Sequence, residues 1–139
     1  MKIAEGFHTM PAIDEETALA AAARACHEAS RLFAAALGQE PLPEWNALPE
    51  EFRHAIIAGV LVVQRGASAR QCHEEWMRSK LDSGWRWADE NDEEKKTSSH
   101  LLAWECLTEP QRRKGELFVA TVRAMLIACG ATLESSTAS

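Results

Sequence analysis

Apolar residues recur every three or four positions in four stretches of the chain, which is the spacing of one face of an α-helix. The first stretch runs from Leu19 to Gly38 and the second from Pro49 to Gly66. The third runs from Ser68 to Gly84 and the fourth from Thr108 to Gly130. Each one ends at a glycine, a residue that favours helix termination. The pattern therefore predicts a mainly α-helical fold with four principal helices.

Two of these helices begin with a capping box, in which a Ser or Thr and a Gln three residues later satisfy each other's backbone N–H groups. Ser68 and Gln71 form the first box, and Thr108 and Gln111 form the second. These pairs place the predicted starts of the third and fourth helices.

The segment between the third and fourth helices predicts a short two-stranded element near residues 85–104. Trp85-Arg86-Trp87 alternates as a strand does, so its two tryptophans should point to opposite faces. We expect one to enter the core and the other to face a groove, with either assignment open. Residues 89–96 are highly charged and predict a solvated loop. The apolar residues of 101–104 are then expected to return as the partner strand.

Two short motifs recur in the same order, which predicts an internal duplication. Cys26-His27-Glu28 returns 46 positions later as Cys72-His73-Glu74. Trp45-x-x-Leu48 returns 59 positions later as Trp104-x-x-Leu107, so the second copy carries an insertion that includes the charged loop. We expect two helix–linker–helix units packed about a pseudo-twofold axis with a groove between them. The two units would be residues 18–64 and 68–130.

Composition and charge narrow the classes of function. The 139 residues suit a single domain, expected at 14–134 between a flexible arm at 1–13 and a disordered tail at 135–139. A net charge of −6 argues against a general binder of DNA or RNA. The longest apolar run, residues 55–63, is too short to cross a bilayer, and we recognise no secretion signal. We therefore expect a cytoplasmic protein with no membrane partner.

Tryptophan is the unusual component. The chain has five Trp and no Tyr, and four of the Trp lie between positions 76 and 104. On the predicted third helix, His73, Trp76 and Lys80 are spaced so that they project to one side. The Trp76 ring could stack on a base and Lys80 could pair with a phosphate. The alternative is that Trp76 belongs to the core and Lys80 extends past it to solvent.

Further residues are secondary candidates for the same ligand, and most have a structural explanation too. Trp104 and Trp45 begin the second helix of each unit, so both also fit packing anchors. Lys95 and Lys96 fit either a solvated loop or a lid over phosphates, and Arg112-Arg113-Lys114 is expected at the surface. The secondary candidates are Trp85, Arg86, Trp87, Lys95, Lys96 and Trp104.

Catalytic and metal-binding patterns are not recognisable. The five His show no HExxH motif and no other close ligand pair, and no GxSxG, Walker loop or GxGxxG occurs. The four Cys are widely spaced and favour reduced, buried thiols. We therefore predict no enzymatic activity, no cofactor and no metal.

Residues 72–129 resemble the ryanodine-receptor repeat (RyR) domain. That family places H-x-x-W on a helix, then G-W-x-aromatic, a charged loop, and an aromatic residue before x-x-L. His73-x-x-Trp76, Gly84-Trp85-Arg86-Trp87 and Trp104-x-x-Leu107 match in order. The resemblance extends in outline over residues 18–130, in the manner of short bacterial and phage-borne members.

The resemblance implies a binding module in which the H-x-x-W tryptophan, here Trp76, stacks on a nucleotide base. Ser30 stands at the corresponding place in the first unit, so we expect one site rather than two. The resemblance also implies a phage or bacterial setting, in which such a protein sequesters an immune signal such as a cyclic nucleotide or an ADP-ribose derivative. The alternative is a structural or protein-interaction module that binds a partner helix or self-associates.

Overall fold

The computed structural model describes residues 13–134, and within them the chain forms four α-helices. The predicted mainly α-helical architecture is therefore confirmed. The predicted arm at 1–13, apart from Ile13, and the predicted tail at 135–139 lie outside the described residues. The helices are α1 (Glu15–Ala36), α2 (Glu50–Gln64), α3 (Ala69–Asp82) and α4 (Glu109–Ala128).

The helix starts follow from side-chain caps. Both predicted capping boxes are present, at Ser68 with Gln71 and at Thr108 with Gln111. α1 begins four residues before Leu19, because the Asp14 carboxylate accepts a 2.8 Å hydrogen bond from the Thr17 N–H and closes the first turn.

The hydrophobic core lies between α1, α2 and α4. Three fully buried alanines on α1 let it approach α4 closely, and this helix pair has the most extensive packing in the fold. α2 and α4 supply the larger buried side chains. By contrast, α3 has no buried residue and only rests against the core. The core consists of Ala18, Ala22, Ala23, Cys26, Val60, Val63, Val122 and Leu126.

The two-stranded element is present near the predicted place, but its second strand is not the expected one. β1 (Arg86–Trp87) pairs in parallel with β2 (Thr97–Ser98). The expected partner at residues 101–104 is therefore wrong. The charged loop folds back on itself, with Asp92 bridging Thr97 and Lys96 at a φ of 56°, and this turn delivers the buried Thr97 and Ser98 to β1.

Both predicted units make the same contact between a histidine and a backbone carbonyl, which we call the histidine clasp. In the first unit His27 Nε2 lies 2.6 Å from the Pro43 carbonyl oxygen, and in the second His73 Nε2 lies 2.6 Å from the Leu102 oxygen. Each imidazole also packs against the tryptophan of its unit's Trp-x-x-Leu motif, His27 against Trp45 and His73 against Trp104. The ring centroids are 6.0 and 5.9 Å apart, and both interplanar angles are 56°. The clasp fastens the first helix of each unit to the linker before its second helix.

The ends of the repeated helices match as well. Gly38 after α1 and Gly84 after α3 have φ values of 75° and 89°, which only glycine adopts without strain. The next residue in each unit donates its N–H back to the last turn, from Gln39 to Ala34 O at 2.9 Å and from Trp85 to Lys80 O at 3.0 Å. The first helices of the two units therefore end in the same way, at positions separated by the same 46 residues as the Cys-His-Glu motifs.

The four cysteines are free thiols, but the expectation that they are buried is met in full only by Cys26, since Cys72 and Cys129 are half-buried. Cys106 is exposed, because the 3₁₀ turn Trp104–Cys106 lies at the surface. Cys26 lies in the core, where burial raises the pKa of its thiol to about 12. Burial, together with the nearby charge of Glu75, raises the pKa of Cys72 to about 11.

Candidate functional site

An exposed aromatic surface lies on α3 and is centred on Trp76. This residue is 37% exposed, and its ring stacks on His73 with centroids 5.7 Å apart and an interplanar angle of 29°. His73 also contacts Trp104. We call His73, Trp76 and Trp104 the aromatic cluster. The structure thus brings together three of the predicted site residues, and Trp76 is not a core residue.

The histidine clasp of the second unit fixes the position of His73 within the aromatic cluster. Because Nε2 of His73 is occupied by the Leu102 carbonyl, the imidazole supports Trp76 rather than presenting this nitrogen to a ligand. Trp104 fits closely against α4, since a side chain at Gly115 would place its Cβ 3.4 Å from the Trp104 ring. The platform under Trp76 is therefore fixed by contacts from three segments of the second unit.

Lys80 on α3 and Trp85, three residues after the end of this helix, form a second pair. The Lys80 ammonium lies 4.2 Å from the centroid of the Trp85 ring, a cation–π contact, one turn beyond Trp76. Trp85 is half-buried and lies outside the core, while Trp87 is 46% exposed. The expectation that one of the two tryptophans enters the core is therefore wrong, because the strand follows α3, a helix that itself contributes no residue to the core.

The remaining predicted residues are dispersed. Arg86 is exposed on β1, and Lys95 is exposed with its Nζ 4.0 Å from Asp92. Lys96 donates from Nζ to the Ser83 carbonyl at 3.2 Å, so it is tied to the end of α3. Among the described aromatic contacts, none joins Trp87 to the aromatic cluster. Of these residues, Lys96 is therefore tied to the end of α3 that follows Lys80.

Two basic residues outside the predicted set lie beside the aromatic cluster. Lys114 is half-buried, although a surface position was expected for it, and its Nζ donates to Gln39 Oε1 at 2.5 Å. Burial lowers the pKa of Lys114. Burial also lowers the pKa of His100, as do the nearby Lys114 and His73. No local pattern signals this arrangement, because Gln39 and Lys114 are 75 positions apart.

Open depressions occur elsewhere on the described surface. One of about 470 Å³ lies along the side of α3 that carries Met77 and Leu81. Another of about 550 Å³ lies between α1 and α4, where Phe33, Leu117 and Ala120 line it. Neither includes the aromatic cluster, so the candidate site is an exposed platform, a form that suffices for base stacking.

A family model covers the part of the chain that contains the aromatic cluster. The family model of the RyR domain matches residues 45–135, which is more than half of the chain. The chain belongs to the RyR domain family. In this RyR domain the matched range contains both Trp-x-x-Leu motifs and the whole aromatic cluster, whereas α1 precedes it. The assignment of α1 to a first unit therefore rests on its histidine clasp. No curated protein matches the chain.

Within residues 13–134 no helix combines the length and the apolar character needed to cross a bilayer. In the same range, no three His, Cys, Asp or Glu side chains are grouped so as to hold a metal ion.

Proposed function

We propose that this RyR domain is a non-catalytic module that binds one small nucleotide-type ligand, with the base stacked on Trp76. The observation that carries the proposal is the exposed indole of Trp76, supported from behind by the clasped His73. A large apolar ring that is partly exposed at the surface is suited to a flat ligand, and stacking contributes roughly 1–3 kcal/mol per base. Lys80, one turn along, supplies a positive charge on the same face.

The duplication supports a single site per chain. By the 46-residue offset, Trp76 corresponds to Ser30 on α1, and Lys80 corresponds to Ala34. The first unit thus keeps the histidine clasp but lacks both the stacking ring and the cation. We therefore expect a stoichiometry of one ligand to one chain.

Such a module acts by sequestration in our proposal. Lowering the concentration of a signal requires affinity and sufficient copies of the binder, and it requires no turnover. The ligand classes we favour are cyclic nucleotides and ADP-ribose derivatives, and the setting we favour is a phage protein in the host cytoplasm.

Replacement of Trp76 tests the function directly. Calorimetry of the full chain with ATP, ADP-ribose and a cyclic dinucleotide should reveal a one-to-one complex, and Trp76→Ala should weaken it roughly 5- to 150-fold through loss of stacking. Leu81→Ala removes another exposed side chain from α3 and should leave the affinity unchanged. Heat-silent titrations with all three ligands, or equal losses in both variants, would contradict the proposal.

The second candidate function is a protein-interaction module. It is favoured by large apolar side chains that remain exposed away from the aromatic cluster, among them Leu32, Leu42 and Ile127. Under this hypothesis sedimentation velocity would show self-association or a complex with a partner, and Trp76→Ala would change assembly without any nucleotide effect.

A further inference from the structure

Lys114 is a half-buried cation without a carboxylate partner among the described residues. Its Nζ is bound by the neutral amide oxygen of Gln39, and burial lowers its pKa. The adjacent Arg113 is more exposed, yet it pairs with both Glu109 and Glu116 at 3.5 and 3.0 Å. Removing a cation from water without a counter-ion is unfavourable. The position of Lys114 thus differs from that of an ordinary surface lysine.

His100 adds a second basic group at the same place. The ring is half-buried, and its pKa is lowered by that burial and by the nearby basic groups Lys114 and His73. Within residues 13–134 no ion pair joins a carboxylate to His73, His100 or Lys114. Lys114, His100 and His73 are therefore three neighbouring basic side chains, and none of them forms an ion pair with a carboxylate of the described residues.

The region also adjoins the platform for the base. Lys114 precedes Gly115, which contacts the Trp104 ring, and Trp104 in turn contacts His73, the support of Trp76. Gln39 comes from the first unit, directly after the Gly38 turn that ends α1. This arrangement joins the two units at one place beside the aromatic cluster.

We propose that Lys114 and His100, with Gln39 from the first unit, form a subsite for a phosphate group. Lys114 supplies a fixed positive charge, and His100 donates a hydrogen bond from its ring when protonated. The phosphate is either that of the nucleotide stacked on Trp76, in which case the subsite rests on the proposed function, or free phosphate. Neither Lys80 nor Lys96 is needed for this contact.

Calorimetry with inorganic phosphate, adenosine and ATP separates these sources. We expect Lys114→Gln to weaken phosphate binding by at least about tenfold, the scale of a hydrogen bond to a charged group. If the nucleotide supplies the phosphate, Lys114→Gln should lower the affinity for ATP and leave the affinity for adenosine unchanged. Arg113→Gln, which removes the neighbouring charge, should change none of these affinities. Equal effects of Lys114→Gln and Arg113→Gln would overturn the subsite, whatever Trp76→Ala does to nucleotides.

A second readout does not depend on any nucleotide. In proton NMR titrations of the His100 ring, we expect a pKa below the ordinary value of 6.5 without phosphate and a higher pKa in its presence, because the anion stabilises the imidazolium. The exposed His54 on α2 serves as the internal control and should not respond. An unchanged His100 titration at saturating phosphate would also overturn the subsite. Phosphate binding that depends on Lys114, without any nucleotide binding, would support the subsite and reject the proposed function.

Discussion

Leu126→Ala should lower the free energy of unfolding by about 2–5 kcal/mol. Among the described residues, Leu126 is the largest fully buried side chain, and it lies in the core with the small alanines of α1. Removing three of its carbons leaves a cavity that those alanines have no side-chain length to fill. Because domains of this size are stable by only about 5–15 kcal/mol, the loss is a large share of the total. Urea unfolding followed by circular dichroism measures it.

The next residue provides the control for this experiment. Ile127 is 66% exposed on α4, so Ile127→Ala should change the stability by no more than about 0.5 kcal/mol. If the two variants were equally stable, the core would not lie between α1, α2 and α4 as described.

His27→Ala should be the next most damaging of these substitutions, with a loss of roughly 1–3 kcal/mol, the scale of leaving a buried polar group unpaired. His27 is buried, and its removal deprives the Pro43 carbonyl of its partner and leaves a gap beside Trp45. Thermal or urea unfolding of the variant measures the loss.

Two other histidine variants serve as comparisons for His27→Ala. His73 makes the same clasp in the second unit but is only half-buried, so His73→Ala should be less destabilising. His54 is exposed on α2, and His54→Ala should be close to neutral. A stability loss for His54→Ala as large as that for His27→Ala would show that the clasp contributes nothing specific.

The helices could be predicted from the sequence because their signals are local. Ser68 with Gln71 and the glycines that follow the helices act on residues within one turn, so the spacing along the chain already describes the contact. The partner strand could not be predicted in this way. Leu101 and Leu102 are more apolar than Thr97 and Ser98, yet the fold of the charged loop determines which segment reaches β1.

The same difference between local and long-range contacts applies to the candidate site. The helical spacing of His73 and Trp76 was sufficient to place them side by side, since residues three apart on a helix are neighbours. The position of Trp85 outside the core depends on how α3 packs against the rest of the fold, which is a long-range property. The half-buried position of Lys114 could not be predicted, because its partner Gln39 belongs to the other unit. Only the packing of α4 beside the end of α1 brings the two residues together.

The absence of any buried residue in α3 has a consequence for the dynamics of the domain. Opening this helix exposes little apolar surface, so its amide hydrogens should exchange with solvent sooner than those of α1, α2 and α4. The helix that presents Trp76 is then the least protected of the four. A ligand that binds to that indole would slow amide exchange along the whole of α3. Ligand occupancy and the local order of α3 would then report on the same binding equilibrium.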